Sequence, residues 1–291
     1  MFARLIRRID RGGSQERRAK RPALPGLENL ERREVPAGVM LGVNGVLTIT
    51  ASSDARANTA QISLDTKNTA NPYDDVVNVL WMNGATGKSL TPSFPLYKPT
   101  TFRGKPAWTL NVVEFDYHGN AGNDTVKNAT SIPSKLYGND GDDILFGGSG
   151  NDLIEGGNGS DLIRGGEGDD KLFAHSRADW EGTLKTVPPY SQDRVYGEDG
   201  MDFLAGARGG LNVLDGDRGN DAIYGGDLAF NVITDRSGAD TIYGGKALMT
   251  RILCDDGEPD DAIVITEGTN TIVFCDNPTG PKGDRITYWG K

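Results

Sequence analysis

A nine-residue alternation of polar and aliphatic positions dominates the middle of the chain. Residues 138–173 read, in register and without interruption, GNDGDDILF, GGSGNDLIE, GGNGSDLIR and GGEGDDKLF. Each unit has glycine at positions one and four, aspartate at position six and leucine or isoleucine at position eight. Short apolar segments at a fixed spacing, separated by Gly-rich turns, predict stacked coils. We therefore expect the last three residues of each unit to form a strand whose position-eight side chain faces the core, namely Leu145, Ile154, Ile163 and Leu172.

The six residues before each strand form the predicted turn. Glycine at positions one and four allows positive φ without a Cβ clash, so the chain can turn tightly. Two units make one coil, so each turn stacks on the turn two units away, which pairs Asp143 with Asp161 and Asp152 with Asp170. Stacked strands lie about 4.8 Å apart. Two turns at that spacing can supply the roughly six to eight oxygen ligands that Ca²⁺ prefers, whereas one turn cannot.

These units resemble the RTX (haemolysin-type) calcium-binding repeat family. The resemblance implies an all-β fold, a right-handed parallel β-roll or β-solenoid, with Ca²⁺ as its cofactor. It also implies that the aspartate at position six is a metal ligand. The alternative is a Gly/Asp-rich turn without metal, which is disfavoured because stacked carboxylates without a cation repel each other. The candidate metal ligands are Asp124, Asp143, Asp152, Asp161, Asp170, Asp202, Asp221, Asp240 and Asp261.

The ladder resumes after residue 193 with longer and less regular steps. The expected inward aliphatic residues are Val195, Leu204, Leu214, Ile223, Ile233, Ile242, Ile252, Ile263 and Ile272. The metal position lies two residues before each, and after Asp193 it alternates between two sides of the coil. One side carries Asp202, Asp221, Asp240 and Asp261, and the other carries Asn212, Asn231, Thr250 and Asn270. We expect the second side to hold no metal and to form a hydrogen-bonded ladder instead.

The chain before the repeats divides into two segments. Residues 1–37 are basic, and the phrase LERREVPA at 30–37 resembles the end of a leader found on exported proteins of some environmental bacteria, so we expect a disordered leader or export segment. Residues 38–117 look β-rich, with strands expected at 45–52, 60–66, 75–84 and 109–119 and a Pro/Gly/Ser-rich connection at 85–107. A solenoid end needs its unpaired backbone covered, so 38–117 is interpreted as a cap with early rungs. A separate ligand-binding domain is the alternative.

The remaining boundaries follow from where the repeat pattern is present. The β-roll is expected over 118–276, interrupted by an inserted loop at 174–193 that contains Trp180 and two prolines. The loop is interpreted either as a length variation without function or as a binding loop. His175 is expected to be a solvated loop residue. Residues 277–291 are expected to form a C-terminal tail.

Composition and charge exclude several classes of function. The chain has 291 residues, 40 glycines and a net charge of −10; residues 1–36 carry ten basic against five acidic residues, and the remainder carries 21 against 36. An acidic body excludes nucleic acid as the expected partner and favours cations. No stretch has the length of an apolar membrane helix. The histidines, His118 and His175, lie 57 positions apart, so the HExxH zinc-protease motif is absent, as are G-x-S-x-G and the P-loop. We therefore expect no enzymatic activity.

The predicted function is that of an exported calcium-binding protein, secreted or on a bacterial cell surface, whose calcium is structural and drives folding outside the cytosol. Two alternatives stay open. One is a calcium-dependent surface adhesin or carbohydrate-binding module, with cell-surface or matrix glycans as partners and the Trp180 loop or the aromatic residues of the cap as binding elements. The other is an accessory module of a secreted enzyme. A glycan array with and without calcium would separate the adhesin from a purely structural role.

The two cysteines, Cys254 and Cys275, lie 21 positions apart, about one coil with a small insertion. Neighbouring coils are close enough for a disulfide, which an exported protein permits. Side chains alternate between the two faces of a strand. If Ile252 faces the core, Cys254 two residues later also faces inward, whereas if Ile272 faces the core, Cys275 three residues later faces outward. A one-residue slip in the final strand would reconcile the two. A disulfide and a pair of free, packed thiols both stay open.

Overall fold

The computed structural model describes residues 38–289 except for 52–55, 68–70, 85, 184–189, 255–260, 267–269 and 276–284. The predicted leader and most of the predicted tail therefore lie outside the described residues. The part of the chain before the repeats forms short strands and one 3-10 turn, Pro72–Asp74. The strands are β1 (Val39–Leu41), β2 (Val46–Thr50), β3 (Thr59–Asp65), β4 (Val76–Asn83), β5 (Lys88–Leu90), β6 (Ser93–Pro95), β7 (Tyr97–Phe102) and β8 (Lys105–Leu110).

The rest of the described chain is a run of strands separated by turns, with one short helix, α1 (Arg177–Trp180). The strands up to the helix are β9 (Glu114–His118), β10 (Thr125–Ala129), β11 (Ser134–Asp140), β12 (Ile144–Gly148), β13 (Leu153–Asn158), β14 (Leu162–Glu167) and β15 (Lys171–Phe173). Those after it are β16 (Gln192–Asp199), β17 (Phe203–Ala205), β18 (Leu211–Arg218), β19 (Ala222–Tyr224), β20 (Phe230–Asp235), β21 (Thr241–Tyr243), β22 (Met249–Cys254), β23 (Ala262–Thr266), β24 (Thr271–Cys275) and β25 (Arg285–Trp289).

Successive strands from β9 to β25 alternate between two parallel sheets. The odd-numbered strands form the first sheet and the even-numbered strands the second, so each strand pairs with the strand two places along the chain. The register is that expected from the nine-residue units: Leu145 lies opposite Ile163, and Ile154 lies opposite Leu172. The all-β solenoid prediction is confirmed, with about 8 turns of stacked coils.

The core between the two sheets consists of two facing columns of aliphatic side chains, one from each sheet. From β10 to β21 each strand contributes one large inward aliphatic residue, because side chains alternate between faces and most other inward positions hold a buried polar residue or a glycine. The position-eight residues are fully buried, as predicted: Leu145, Ile154, Ile163, Leu172, Val195, Leu204, Leu214, Ile223, Ile233, Ile242, Ile252 and Ile263.

Both sheets change from parallel to antiparallel pairing at their N-terminal ends. Ala60 in β3 pairs in parallel with Val126 and antiparallel with Trp81 in β4, and β1 runs antiparallel to β2.

Two predictions for the segment before the repeats are wrong. The connection at 85–107 contains β5 to β7 and the start of β8, because β5 and β6 pair with β4 and β7 pairs with β8. The strand expected at 109–119 is two strands, β8 and β9.

The final strand of the second sheet is shifted by one residue from its predicted register. Val273, not Ile272, lies opposite Ile252, and the Ile272 side chain is exposed. Thr271 consequently takes the place predicted for Asn270, whose side chain instead donates to the carbonyl oxygen of Leu248. The connection from β23 to β24 lengthens the step, and a strict count of residues from the preceding strands therefore fails here.

The inserted loop folds back onto the outer face of the first sheet. Ser176 caps α1 by accepting from the N–H of Asp179 over 3.2 Å. The Trp180 ring lies 4.9 Å from the Phe203 ring and 5.6 Å from the Tyr224 ring. His175 is half-buried, with Nε2 at 2.8 Å from Oδ1 of Asn158, so the expectation that it is solvated is wrong. The described loop residues thus pack on the solenoid.

The one-residue shift of β24 also resolves the conflict between the expected directions of the two cysteines. Because Val273 rather than Ile272 lies opposite Ile252, Cys275 lies opposite Cys254 in the neighbouring coil. Cys254 is buried and disulfide-bonded. Cys275 is the one other cysteine of the chain.

Thiol titration tests this pairing. The denatured, unreduced protein should show no reactive thiol, and Cys275→Ser should expose one, because Cys254 then loses its partner. Reduction should lower the stability of the last coils by about 2–4 kcal/mol, since the unfolded chain regains the entropy of an open loop. Two reactive thiols per unreduced chain would exclude the bond.

Candidate metal centre

Polar residues that lie just before a strand or at its second position form two columns along the solenoid. We call the column that leads into the first sheet the acidic column and the one that leads into the second sheet the mixed column. The acidic column consists of Asp152, Asp170, Asp202, Asp221, Asp240 and Asp261. The mixed column consists of Asp124, Asp143, Asp161, Asp193, Asn212, Asn231 and Thr250. All of these side chains are buried, at 0–2% exposure.

Each carboxylate in the acidic column is held by the backbone of the coil before it. The N–H of Asp152 donates to Oδ1 of Asp170 over 2.7 Å, and the N–H of Asp202 donates to Oδ1 of Asp221 over 2.8 Å. The same bond joins the N–H of Asp221 to Oδ1 of Asp240. This repeated bond places the aspartates of neighbouring coils directly over one another, which confirms the predicted stacking of each turn on the turn two units away.

The second carboxylate oxygen of most of these aspartates is buried without a hydrogen-bond partner. The atoms concerned are Oδ2 of Asp143, Asp152, Asp161, Asp170, Asp202, Asp221 and Asp240. A buried polar atom without a partner costs roughly 1–3 kcal/mol, and more when it is charged. A repeated cost at the same position of successive coils indicates that something else satisfies these oxygens.

Position-one glycines leave the space in which these oxygens lie. A Cβ added at Gly147 would overlap Oδ2 of Asp152 and crowd the carbonyl oxygen of Gly165 in the next coil. The cradle therefore holds a carboxylate oxygen and a carbonyl oxygen side by side. Hard cations such as Ca²⁺ prefer an all-oxygen ligand set of this kind, so the residues present fit the predicted metal.

The reason expected for the position-one glycines is wrong. Positive φ occurs at positions two and four, as in Gly148 (117°) and Gly141 (140°), and not at position one. Position one is restricted instead by the close approach of the carboxylate and of the next coil. Position two tolerates a side chain, since Asn139 takes a φ of 74° there.

Burial shifts the titration of these aspartates strongly. Burial, together with the carboxylates of neighbouring coils, raises the pKa of Asp161 and of Asp170 to about 8, against the opposing effect of the backbone hydrogen bond. The pKa of Asp143 and of Asp221 rises to about 7 for the same reasons. Without a cation, the folded state therefore favours the protonated form of these groups.

The side chains in the later half of the mixed column form hydrogen bonds with one another. Asn212 donates from Nδ2 to Oδ1 of Asn231 over 2.9 Å, and Asn231 donates to Oγ1 of Thr250 over 3.3 Å. Each asparagine also clamps its own turn: Oδ1 of Asn231 accepts from the N–H of Gly226, and Nδ2 donates to the carbonyl oxygen of that glycine. The predicted hydrogen-bonded ladder is confirmed for Asn212, Asn231 and Thr250, but Asn270 does not join it.

Two aspartates of the mixed column differ from the rest. Oδ2 of Asp124 accepts from the Tyr117 hydroxyl over 3.0 Å, and its Oδ1 accepts from the backbone and side chain of Asn58. Oδ2 of Asp193 accepts from the Ser191 hydroxyl over 2.7 Å. Both oxygens of Asp124 thus have protein partners, unlike those of the other candidate ligands in this column.

Sequence reasoning missed Asn58, Tyr117 and Asp235. Asn58 and Tyr117 precede the repeats, and no periodicity places them beside Asp124. Asp235 replaces the glycine at position one of its unit, DRSGAD, and one carboxylate oxygen each from Asp221, Asp235 and Asp240 lie within 4.8 Å of one another. Burial and the neighbouring Asp240 carboxyl raise the pKa of Asp235. Asp235 stands at a position where the preceding units have glycine, and this difference in the sequence could have identified it as a candidate ligand.

Comparison with known proteins agrees with this geometry. The family model of the RTX calcium-binding nonapeptide repeat matches in four copies, at residues 137–172, 209–227 and 229–246. Repeats of this family bind Ca²⁺. The matched segments lie within the stacked coils and include both kinds of column. No curated protein and no solved structure matches the chain.

Substitution in the two columns should separate their roles. Asp170→Asn keeps the size of the side chain and an acceptor at Oδ1 but removes a charge. We expect fewer calcium ions per chain and a midpoint weakened roughly tenfold, or about 1.4 kcal/mol, in isothermal titration calorimetry. Asn231→Ala is the matched control: it should leave the number of ions unchanged and lower stability by about 1–3 kcal/mol with and without calcium, because it breaks buried hydrogen bonds. Equal loss of calcium in both variants would contradict the distinction.

The raised pKa values predict how stability depends on pH. A group whose pKa is higher in the folded state stabilises the fold fully below its ordinary pKa, near 3.8 for aspartate, and this contribution is lost as pH rises through the folded value. In calcium-free buffer the melting temperature should therefore fall between about pH 4 and pH 8, and saturating calcium should largely abolish the fall. A calcium-free melting temperature that is flat or rises over this range would refute the prediction.

Proposed function

We propose that this chain, a calcium-binding β-roll built from RTX nonapeptide repeats, is an exported protein whose calcium ions are structural and drive its folding. The observation that carries the proposal is the series of buried Oδ2 atoms that have no partner in the protein. Calcium binding would supply the missing ligand for each oxygen and neutralise the stacked charges. Metal-binding free energy would then be folding free energy.

The proposed ligands differ along the two columns. In the acidic column they are Asp152, Asp170, Asp202, Asp221, Asp240 and Asp261, joined by the position-one carbonyl oxygens of neighbouring coils. In the mixed column Asp143 and Asp161 supply oxygens of the same kind. Asp124 is proposed as a weaker ligand, because Tyr117 and Asn58 already occupy its oxygens.

Export follows from the dependence of folding on calcium. The ion is scarce in the cytosol and abundant outside cells, so a chain whose buried aspartates require it would stay unfolded inside and fold outside. Repeats of this family are typical of extracellular bacterial proteins. Within the described residues, no helix is both long enough and apolar enough to cross a membrane.

The described residues support a role without catalysis. The His118 ring stacks on Tyr137 at 5.0 Å, and His175 contacts Asn158, so the two histidines serve different parts of the solenoid. The aspartates with raised pKa values are explained by the stacking that builds the coils. Trp180, a candidate for glycan binding, packs its ring against Phe203 and Tyr224 and is still 42% exposed at the surface.

Calcium should produce a large gain of β structure and stability in the purified chain. Circular dichroism and thermal melts with increasing calcium should show both, because each coil interface depends on a bridging cation. Magnesium is the matched control: it requires a rigid octahedron with ligands near 2.1 Å and keeps its waters, so it should have little effect. A calcium-free protein as stable as the calcium-loaded one would refute the proposal.

A further inference from the structure

One coil interface of the acidic column contains a third carboxylate. Position one of the preceding units on this side is glycine, as in Gly197 and Gly216. At the end of β20 the same position is Asp235, and in the following coil it is Cys254, which lies opposite Asp235. The glycine cradle is therefore filled at this one coil by an acidic side chain.

The three carboxylates converge on one point between neighbouring coils. One oxygen each from Asp221, Asp235 and Asp240 lie within 4.8 Å of one another. A Cβ added at Gly216 would lie 2.7 Å from Oδ1 of Asp235 and would overlap Oδ2 of Asp221, so both side chains occupy the space over that glycine. The convergence depends on Gly216, because no other residue leaves this space open.

Each of the three side chains also has one buried oxygen without a hydrogen-bond partner. Oδ2 of Asp221, of Asp235 and of Asp240 is buried and accepts no hydrogen bond from the protein. The three residues are exposed by only 2%, 5% and 2%, respectively. Three buried carboxylate oxygens without partners indicate a site for a cation more strongly than the pairs in the other coils do.

The nearest basic side chain is engaged elsewhere. The Arg236 guanidinium lies 3.0 Å from Oδ2 of Asp215 and 3.3 Å from Oδ1 of Asp217. Arg236 contacts Asp235 through its backbone N–H, which donates to Oδ1 over 3.0 Å. Among the described contacts, the positive charge of Arg236 thus pairs with Asp215 and Asp217 and leaves the three-carboxylate cluster without a counter-ion.

We propose that Asp235 joins Asp221 and Asp240 of the acidic column in a three-carboxylate cation site, which binds Ca²⁺ more tightly than the two-carboxylate sites of the other coils and prefers trivalent lanthanide ions still more. The inference rests on the proposed calcium-binding function. Affinity at an oxygen site rises with the number of anionic ligands, and a higher ionic charge benefits most from a third carboxylate. The preceding coils have glycine at this position and the following coil has Cys254, so none of them brings a third carboxylate.

Calorimetric titration of the full-length protein with calcium, and separately with a lanthanide such as terbium, tests the proposal. The wild-type chain should bind one ion ahead of the others. Asp235→Asn should weaken that first step by roughly tenfold or more and leave the later steps in place. Asp235→Gly restores the residue of the preceding coils, so it should fold and give the same result. Asp215→Asn is the matched control: it removes a buried aspartate outside the cluster and should leave the first step unchanged.

The outcomes separate this inference from the function on which it rests. If the wild-type protein binds no calcium, both the proposed function and the three-carboxylate site are excluded. If it binds calcium, and the titrations of Asp235→Asn and Asp235→Gly superimpose on those of the wild type for both ions, the three-carboxylate site alone is overturned. Loss of the first step in Asp215→Asn as well would also overturn it, because the effect would then not depend on Asp235.

Discussion

The fold depends on the stacking of like-charged side chains in a place where water does not reach them. One oxygen of each aspartate accepts a backbone hydrogen bond from the coil before it, and this bond sets the spacing of the coils. The other oxygen is left buried and unpaired. The interaction that aligns the coils thus also creates a repeated electrostatic cost, and the proposed cation between the coils would convert that cost into cohesion.

The rest of the architecture gives little independent support against that cost. From β10 to β21 each strand contributes one large inward aliphatic side chain to the core, so a coil is stabilised mainly by its two neighbours. Such a stack is weakest at its ends. At the N-terminal end antiparallel strands such as β1 and β4 cover the parallel sheets, and near the C-terminal end the disulfide-bonded Cys254 lies in one of the last coils. Where the carboxylates stop, the ladder formed by Asn212, Asn231 and Thr250 replaces them with neutral hydrogen bonds.

Most of this arrangement could be predicted from the sequence, because the nine-residue period fixes both which residues face the core and which turns stack. The division into an acidic and a mixed column followed from counting residues alone. Counting failed at β24, where a longer connection shifts Val273 into the place expected for Ile272. It also failed before the repeats, where pairing with β4 organises a Pro-rich segment that has no periodicity.

The parts of the site that escaped prediction involve contacts between distant segments or departures from the repeat. Tyr117 and Asn58 reach Asp124 from strands and turns outside the repeats, and only the folded chain brings them together. The position-one glycines were correctly recognised as part of the turn, but the reason given for them was wrong. They are required because a carboxylate and the neighbouring coil approach closely, not because their φ is positive. Asp235 breaks the pattern, and its significance depends on the space over Gly216.

A crystal structure of the calcium-loaded protein, with anomalous scattering to locate the ions, tests the central claim most directly. The account predicts ions between successive aspartates of the acidic column, each within about 2.3–2.6 Å of a carboxylate oxygen that is unpaired in the protein alone. It predicts none between Asn212, Asn231 and Thr250. Ions found between Asn212, Asn231 and Thr250 as readily as between the stacked aspartates, or ions confined to the outer surface while the buried carboxylates stay without a cation, would contradict it.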